Sequence, residues 1–484
     1  MGIKNNQGKF DELRKSFDYF SFEGFKINFI PQGLQIVFNF NLAGKYIFEP
    51  VLLFEQRKFF RDYSSDNIAM LESLAFNIGM IELLSYWKTA CPKRIIIKCG
   101  ELTPKQTYFW KKLYFNGLGE FFYTNNIHTD ISDFANFEIE NQKHSTFKIQ
   151  NLTFKNSIEN QKHSKFKIQN LTFKNSNAYL VPVGGGKDSI VSIELLKEMG
   201  VKAKYMSINA DPARNRIFSL LNLNQEDTIE IKRTLSPRLL DLNNAGFLNG
   251  HTPFSALIAF VSLMASYLSG FKHIALSNES SANEATVPDT NINHQYSKSF
   301  EFENDFRSYA NEFISADLNY FSLLRPLNEL QIAFLFSKQQ KYFHSFRSCN
   351  VGSKKDLWCC SCPKCLFTYI ILSPFINSNN IINIFGSDLL DKEELLPVFK
   401  ELTGLSDIKP FECVGTTDEI NIALSEIIRQ YKNNQLPALL QYYSHTDLYN
   451  TYKTKTVEKK LKQFDNNHFI SDKFANFLKY KLNE

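Results

Sequence analysis

Gly184-Gly185-Gly186-Lys187-Asp188-Ser189 is the segment from which the fold of this chain can be worked out. It follows residues 178–183, a short apolar run typical of a buried strand. After it, residues 189–199 carry apolar side chains at helical spacing, and Gly200 suits a helix C-terminus. A glycine-rich turn between a strand and a helix directs backbone N–H groups and a helix N-terminus at an anion. The sequence therefore predicts a phosphate-binding loop; the alternative is a plain glycine-rich turn.

The side chains of this loop have different expected roles. Asp188 would repel bare phosphates, so we expect it to bind Mg²⁺. Ser189 can offer its hydroxyl to a phosphate, and Lys187 either contacts phosphate or faces solvent. A Walker loop requires Gly-Lys followed directly by Ser or Thr, so this loop belongs to another type.

Strands and helices alternate on both sides of the loop. Residues 203–208 and 272–277 have strand patterns, and residues 251–268 form a long helix pattern. This alternation predicts an α/β fold with a doubly wound parallel sheet. The predicted domains are an N-terminal α+β domain, a linker or hairpin, the loop-bearing domain, and a cysteine-rich, mainly helical C-terminal region, at residues 1–130, 131–177, 178–345 and 346–484.

The predicted linker contains a tandem repeat. Residues 139–157 read IENQKHSTFKIQNLTFKNS, and residues 158–176 repeat them with one change, Thr146 to Lys165. A solenoid needs at least three units to bury a core, so two copies indicate a duplicated surface segment.

Charge and hydropathy argue against two classes of partner. The net charge of +5 is spread over 484 residues, without the concentrated basic face of a nucleic-acid reader. The chain opens on polar sequence, and the apolar run at residues 256–271 is too short to span a bilayer. We expect a cytoplasmic protein that binds neither nucleic acid nor membrane.

Five of the eight cysteines fall between Cys349 and Cys365. Four of them, Cys349, Cys359, Cys362 and Cys365, have a spacing that suits a structural tetrahedral Zn²⁺. Cys360 is able to replace Cys359 in that set. A redox-active Cys-x-x-Cys or an iron–sulfur site is the alternative.

The loop resembles the Ser-Gly-Gly-x-Asp-Ser loop of the N-type ATP pyrophosphatases, with Gly184 where serine is usual. In that superfamily a substrate group attacks the α-phosphate of ATP, AMP is transferred, and the loop holds the departing pyrophosphate. The resemblance implies an adenine nucleotide α-hydrolase-like fold. It also implies that adenine and ribose lie at neighbouring strand ends, here at Asn209, Asn278 and Glu279.

Further stretches resemble one family, that of the UDP-N-acetyl-α-D-muramoyl-L-alanyl-L-glutamate epimerases of peptidoglycan synthesis, over about residues 65–425. The stretches are Asn249-Gly250-His251-Thr252-Pro253, Leu276-Ser277-Asn278-Glu279, Asn293-His294-Gln295-Tyr296-Ser297-Lys298-Ser299, Phe321-Ser322-Leu323-Leu324-Arg325-Pro326-Leu327, Phe346-Arg347-Ser348-Cys349-Asn350 and Lys409-Pro410-Phe411-Glu412-Cys413-Val414-Gly415.

The resemblance implies ATP-dependent inversion of the terminal L-Glu of UDP-MurNAc-L-Ala-L-Glu through an acyl-adenylate, and the ligase that adds L-Glu is a candidate partner. Adenylation removes the negative charge of a carboxylate, so that the α-proton becomes removable by a base. The acid–base candidates are His251, which lies at the start of a predicted helix, where a neutral imidazole is favoured, together with His294, Glu279 and Glu284.

Three basic residues of these stretches, Lys298, Arg325 and Arg347, suit a UDP pyrophosphate or glutamate carboxylates. Each has a structural ion pair as its alternative. Two other functions also stay open: a related enzyme that adenylates a tRNA base or a deazapurine carboxylate, and an adenine-nucleotide sensor without turnover.

Overall fold

The computed structural model describes residues 4–60, 68–140, 175–352, 355–432 and 434–484. The strands in these ranges are β1 (Tyr19–Ile30), β2 (Gly33–Leu42), β3 (Tyr46–Phe48), β4 (Val51–Glu55), β5 (Arg94–Ile97), β6 (Asn136–Ile139), β7 (Asn175–Pro182), β8 (Ala203–Ile208), β9 (Thr228–Thr234), β10 (Phe271–Leu276) and β11 (Asn319–Ser322). The helices of the first half are α1 (Gln7–Ser16), α2 (Ile68–Trp87), α3 (Pro104–Gly117), α4 (Gly119–Thr124), α5 (Lys187–Glu198), α6 (Pro212–Leu220), α7 (Pro237–Asn244) and α8 (Phe254–Ser269). Those of the second half are α9 (Phe300–Phe313), α10 (Glu329–Ser337), α11 (Pro363–Leu372), α12 (Ser378–Phe385), α13 (Leu396–Thr403), α14 (Thr417–Tyr431), α15 (Ala438–Ser444), α16 (Asp447–Tyr452), α17 (Val457–Leu461) and α18 (Asp472–Asn483).

All strands belong to one sheet, in the order β11-β10-β7-β8-β9-β4-β2-β1-β5-β6, with β3 paired to β2. The five strands from β11 to β9 are parallel. The chain starts this half at β7, moves outward to β8 and β9, and then returns to β10 and β11 on the other side. Open α/β sheets bind ligands at the carboxyl ends of strands where the order reverses in this way. The reversal lies between β7 and β10, and residues 184–189 follow β7.

Apolar side chains of the parallel strands alternate between two hydrophobic cores. Leu180 of β7 and Ile274 of β10 enter one core, whereas their neighbours Val181 and Ala275 enter the other. Both faces of the parallel half are therefore covered, as in a doubly wound fold. The predicted α/β class is confirmed, but the parallel strands are part of a mixed sheet that also contains antiparallel pairs.

The N-terminal strands extend the same sheet. β4 pairs antiparallel with β9, with Val51 opposite Thr234 and Phe54 opposite Ile231. The N-terminal region is thus joined to the parallel half by a strand pair. The domain boundaries given above remain a prediction.

Helix α2 is, among the described residues, the one helix long and apolar enough to cross a membrane by length and composition. Most of its residues are buried in the first core. It also carries Glu82, whose carboxylate accepts hydrogen bonds from Arg233 of β9. These contacts are those of a core helix that packs under the sheet.

The predicted elements around the loop are found close to their expected positions. Residues 203–208 form β8, and residues 178–183 and 272–277 overlap β7 and β10. The predicted helix 251–268 begins later, at Phe254, because Pro253 caps it and a residue before proline is driven out of the helical conformation. His251 therefore lies in the preceding loop. Residues 141–174, most of the repeat, lie outside the described residues.

Candidate active site

The glycine loop, residues 184–189, is held closely by its neighbours. Gly185 has a φ of 86°, and a Cβ there would lie 3.0 Å from Arg214 Cγ. A Cβ on Gly186 would lie 2.9 Å from Ser348 Oγ, whereas Gly184 faces open space. The Ser189 hydroxyl donates to the carbonyl of Gly186 over 2.9 Å and so fixes the turn. Gly185 is therefore favoured by both conformation and space, whereas Gly186 is limited by the nearby Ser348 side chain.

Lys187 points into the protein rather than to solvent. Its side chain is 3% exposed, and its ammonium bonds Asp188 Oδ1 at 2.5 Å and a carboxylate oxygen of Glu329 at the start of α10. Burial raises the pKa of Glu329 to about 8, and the negative charges of Asp188 and Glu279 add to the rise while Lys187 opposes it. Lys187 thus pairs with one acid of the loop, Asp188, and with one acid behind it, Glu329.

Asp188 lies at the mouth of the loop, with its side chain 32% exposed. Burial disfavours its ionised form, but the positive charges of Lys187 and Lys298 outweigh burial and hold its pKa below the usual range. An ionised, accessible carboxylate next to a phosphate cradle is the type of ligand that Mg²⁺ takes. The donor set fits the predicted magnesium role.

Polar groups gather at the carboxyl ends of β8 and β10. Asn209 has a φ of 49° and donates to the carbonyl of Arg233. Asn278 donates to Ser322 Oγ over 3.1 Å, and Glu279 is buried. Ser277 Oγ is buried and has no hydrogen-bond partner among the described residues. A ribose hydroxyl or a base nitrogen would satisfy such an orphaned group.

Lys298 connects this edge with a second group of side chains. Burial alone would lower its pKa, but Cys413, Glu279 and Asp188 raise it, so the ammonium stays charged. Burial raises the pKa of Glu279, an effect that Lys298 opposes. The Lys298 ammonium also shares a hydrogen bond with the Cys413 side chain. Two of the predicted site residues, Lys298 and Glu279, are therefore neighbours at the loop.

His251 and His294 come together although 43 positions of sequence separate them, with ring centroids 4.5 Å apart. Both rings face Glu120 of α4: Glu120 Oε2 lies 2.5 Å from Nδ1 of His294 and 3.4 Å from Nδ1 of His251. His294 also hydrogen bonds with the Cys413 side chain. We call Glu120, His251, His294 and Cys413 the histidine–thiol group.

The two imidazoles have opposite protonation tendencies. Burial lowers the pKa of His251 to about 4, and the positive charge of His294 adds to this. Burial would also lower the pKa of His294, but hydrogen bonds and negative charge from Cys413 and Glu120 raise it to about 9. Near neutral pH the pair therefore holds one neutral and one protonated ring, which is one base and one acid.

The remaining candidates have structural contacts. Arg325 is 0% exposed, bonds Glu303 at 2.9 Å and donates to the carbonyl of Glu279, so the ion-pair alternative fits it. The guanidinium of Arg347 donates to backbone carbonyls of its own loop, including that of Phe346. Glu284 pairs with Lys409 and makes none of the described contacts of the histidine–thiol group.

The four predicted metal-binding cysteines converge. The sulfurs of Cys349, Cys359, Cys362 and Cys365 all lie within 4.8 Å of one another, which suits a single tetrahedral ion. Cys360 has a φ of 55° and turns away, so that its thiol bonds the carbonyl of Phe385. Of the two cysteines that the sequence leaves open, Cys359 is the one whose sulfur lies in this cluster.

This cysteine cluster touches both parts of the site. Arg347, two residues before Cys349, donates its N–H to the carbonyl of Gly185 over 3.1 Å. Lys364, between Cys362 and Cys365, donates to the carbonyl of Cys413 over 2.8 Å. The cluster therefore supports the glycine loop on one side and Cys413 on the other.

Two residues of the site, Glu120 and Cys413, are not among the candidates that the sequence predicted. Glu120 lies in a short helix of the N-terminal region, with no motif around it. Cys413 is a scattered cysteine, although it lies in one of the stretches that resemble the epimerases. Only the fold brings them to His294.

Comparison with known proteins gives one consistent result. The model of the MurL N-terminal domain matches residues 11–323, and that of the MurL C-terminal domain matches residues 345–456. The UDP-N-acetyl-alpha-D-muramoyl-L-alanyl-L-glutamate epimerase of Xanthomonas oryzae pv. oryzae is 33% identical over 356 residues, which cover 72% of this chain and 73% of that protein. The protein of the same name from Salinispora tropica is 33% identical over 75% of this chain and 74% of its own length. That of a Micromonospora strain is 36% identical over 54% of this chain and 59% of its own. The chain therefore belongs to the UDP-N-acetyl-alpha-D-muramoyl-L-alanyl-L-glutamate epimerase family.

Proposed function

We propose that the protein inverts the terminal L-glutamate of UDP-MurNAc-L-Ala-L-Glu to D-glutamate, and that it cleaves ATP to AMP and pyrophosphate to do so. The family supports the substrate and the inversion. The observation that carries the use of ATP is the glycine loop at the reversal of the parallel sheet, joined through Lys298 to a pair of imidazoles with opposite protonation tendencies.

The first step takes place at the glycine loop. A glutamate carboxylate oxygen attacks the α-phosphorus of ATP, and the bond to the departing pyrophosphate breaks. The backbone N–H groups of the loop and the N-terminus of α5 hold the pyrophosphate. Asp188 would hold Mg²⁺, which supplies positive charge to the phosphates when bound. Lys187 keeps Asp188 ionised and in place.

The second step uses the histidine–thiol group. In the acyl-adenylate the carboxylate charge is gone, so the α-carbanion is stabilised by the acyl oxygen. His251 and His294 are titratable side chains that the site offers for proton transfer, and Glu120 fixes the orientation of both rings. A proton removed from one face and returned to the other inverts the centre. Hydrolysis of the acyl-adenylate then releases AMP and the D-glutamyl product.

The cysteine cluster fits a structural Zn²⁺. Four thiolates would fill the coordination sphere of zinc and leave no open position for chemistry. The ion would fix the segments that carry Arg347 and Lys364. These two residues in turn hold the carbonyls of Gly185 and Cys413.

One assay tests the proposal. The purified protein is incubated with Mg·ATP and UDP-MurNAc-L-Ala-L-Glu, and pyrophosphate, AMP and the chirality of the glutamate are measured together. We expect one pyrophosphate for each inversion, and none with UDP-MurNAc-L-Ala, which lacks the reacting residue. Pyrophosphate release without inversion contradicts the epimerase and favours another adenylating enzyme. Inversion without ATP contradicts the adenylation step.

A further inference from the structure

The histidine–thiol group has the form of a carboxylate–imidazole–thiol chain. Glu120 Oε2 lies 2.5 Å from Nδ1 of His294, and the same imidazole hydrogen bonds with the Cys413 side chain. In such a chain the carboxylate orients the imidazole, and the imidazole adjusts the charge of the thiol. The three residues come from three distant segments of the chain, so their contact is a property of the fold.

Cys413 is held through its backbone and remains partly exposed. Its backbone carbonyl accepts a hydrogen bond from Lys364, and the next carbonyl, that of Val414, accepts one from Gln295 Nε2 over 3.1 Å. The side chain itself is only partly buried. Gln295 is 6% exposed, and its Oε1 is buried without a hydrogen-bond partner among the described residues. The backbone of Cys413 is therefore fixed, while the residue keeps the partial exposure that contact with a substrate requires.

The charges that face Cys413 favour its thiolate. Burial would raise the pKa of the thiol, but Lys298, Lys364 and His294 outweigh burial and hold the pKa well below its usual range. Glu412, beside Cys413 in the chain, opposes them, as its own raised pKa reflects burial and the nearby thiolate. His251 also faces Cys413, and Glu120 acts on the thiol through His294.

We propose that Cys413 is a catalytic base of the epimerisation, and that its thiolate removes the α-proton of the activated glutamyl residue. The Cα–H bond breaks, an S–H bond forms, and the electron pair moves onto the acyl oxygen as an enolate. The pair then returns to Cα as a water-derived proton is added to the opposite face. Cys413 then loses its proton to solvent and becomes a thiolate again, the charge state that the protonated His294 beside it favours. The inference rests on the proposed function, since an unactivated carboxylate gives no stabilised enolate.

The decisive variant is Cys413→Ala, assayed with Mg·ATP and UDP-MurNAc-L-Ala-L-Glu in D₂O. We expect pyrophosphate release to continue, because the glycine loop is untouched. Inversion and deuterium incorporation at Cα should each fall about a hundredfold or more. In the unaltered protein each D-glutamyl product should carry one solvent deuterium at Cα. The matched control is Cys360→Ala, whose thiol bonds backbone carbonyls away from the site, and it should behave as the unaltered protein.

Three results would overturn this inference. They are unchanged deuterium exchange in Cys413→Ala, loss of pyrophosphate release together with exchange, and a covalent substrate–Cys413 adduct trapped on the unaltered protein, which would make the thiol a nucleophile. If the unaltered protein releases no pyrophosphate with this substrate, the proposed function fails instead. The two failures are therefore distinguishable.

Alkylation gives a readout without turnover. Iodoacetamide reacts with thiolates, so Cys413 should be carbamidomethylated, with release of iodide, at about pH 6, where an ordinary thiol is protonated. His294→Gln removes one of the positive charges that face the sulfur and should slow this reaction about tenfold or more, while labelling of Cys360 stays slow in both proteins. Equal labelling of Cys413 in both proteins would contradict the coupling of His294 to the thiol.

Discussion

The glycine loop and the histidine–thiol group lie at one edge of the same sheet, but they are built in different ways. The loop is a run of consecutive residues, and its lysine pairs with Asp188 of the loop and with the buried Glu329 behind it. The histidine–thiol group takes one side chain each from four separate segments, and its side chains remain partly exposed. The first arrangement suits a fixed cradle for phosphates, and the second suits groups that exchange protons with a substrate.

The largest effect is expected at Asp188, the predicted magnesium ligand of the glycine loop. Asp188→Ala removes the accessible carboxylate at the loop mouth, and we expect pyrophosphate release to fall at least about a thousandfold. Inversion should fall equally, because it depends on adenylation. Circular dichroism and the unfolding temperature serve as controls for folding, and Asp188→Asn keeps the volume without the charge. Inversion that survives the loss of pyrophosphate release would show that the two parts of the site are not coupled.

The difference in construction also explains what the sequence could predict. The loop was recognisable because its chemistry lies in neighbouring residues, and the parallel sheet followed from the strands beside it. His251 and His294 were found through short stretches that resemble the epimerases. Their partner Glu120 could not be found, since it comes from a part of the chain without a motif and reaches His294 only through packing of the N-terminal region.

The same reasoning accounts for the roles that remained open. A lysine next to three glycines favours phosphate contact or solvent, but Lys187 is turned inward by Glu329, an acid of a distant helix. Arg325 has the fork geometry for a substrate carboxylate, yet Glu303 and the carbonyls of Glu279 and Lys298 occupy it. In both cases the deciding partner is remote in sequence, so local pattern cannot choose between the alternatives.

The next largest effect concerns His294 and His251, whose substitution should change how the free energy of unfolding depends on pH. The pKa of His294 is raised from 6.5 to about 9, so its stabilisation is complete below about pH 6.5 and disappears as pH rises through about 9. His294→Gln should lower the free energy of unfolding by at most about 3 kcal/mol at about pH 6, and by little at about pH 10. The measurement is urea unfolding at a series of pH values.

His251 should give the opposite slope. Its pKa is lowered from 6.5 to about 4, so the unaltered protein loses stability as pH falls from about 6.5 towards about 4. His251→Gln removes that penalty, and its stability relative to the unaltered protein should rise over the same interval. Parallel pH slopes for the two variants would contradict the assignment of one neutral and one protonated ring.

A smaller effect is expected from the cysteine cluster, which supports the site without touching the reaction. Cys365→Ser, or removal of the metal by a chelator, should reduce inversion about tenfold to a hundredfold, because Arg347 and Lys364 would lose their fixed positions. Both pyrophosphate release and proton exchange should decline, since the cluster contacts the loop and Cys413. Metal analysis should find one zinc per chain in the unaltered protein. A protein that is fully active and equally stable without metal would contradict the structural role.

The smallest effect separates two adjacent cysteines. The sulfur of Cys359 lies 3.7 Å from that of Cys365, whereas the thiol of Cys360 is directed at the carbonyls of Trp358 and Phe385. Cys360→Ala should therefore change stability by about 1 kcal/mol or less and keep the zinc content, while Cys359→Ala should lower the zinc content. The pair tests the geometry of the cluster directly, because the two residues share their sequence environment and differ in the direction of the side chain. Loss of zinc in Cys360→Ala would mean that the backbone at Cys360, where φ is 55°, changes conformation when the ion binds. Cys360 would then replace Cys359 as a ligand.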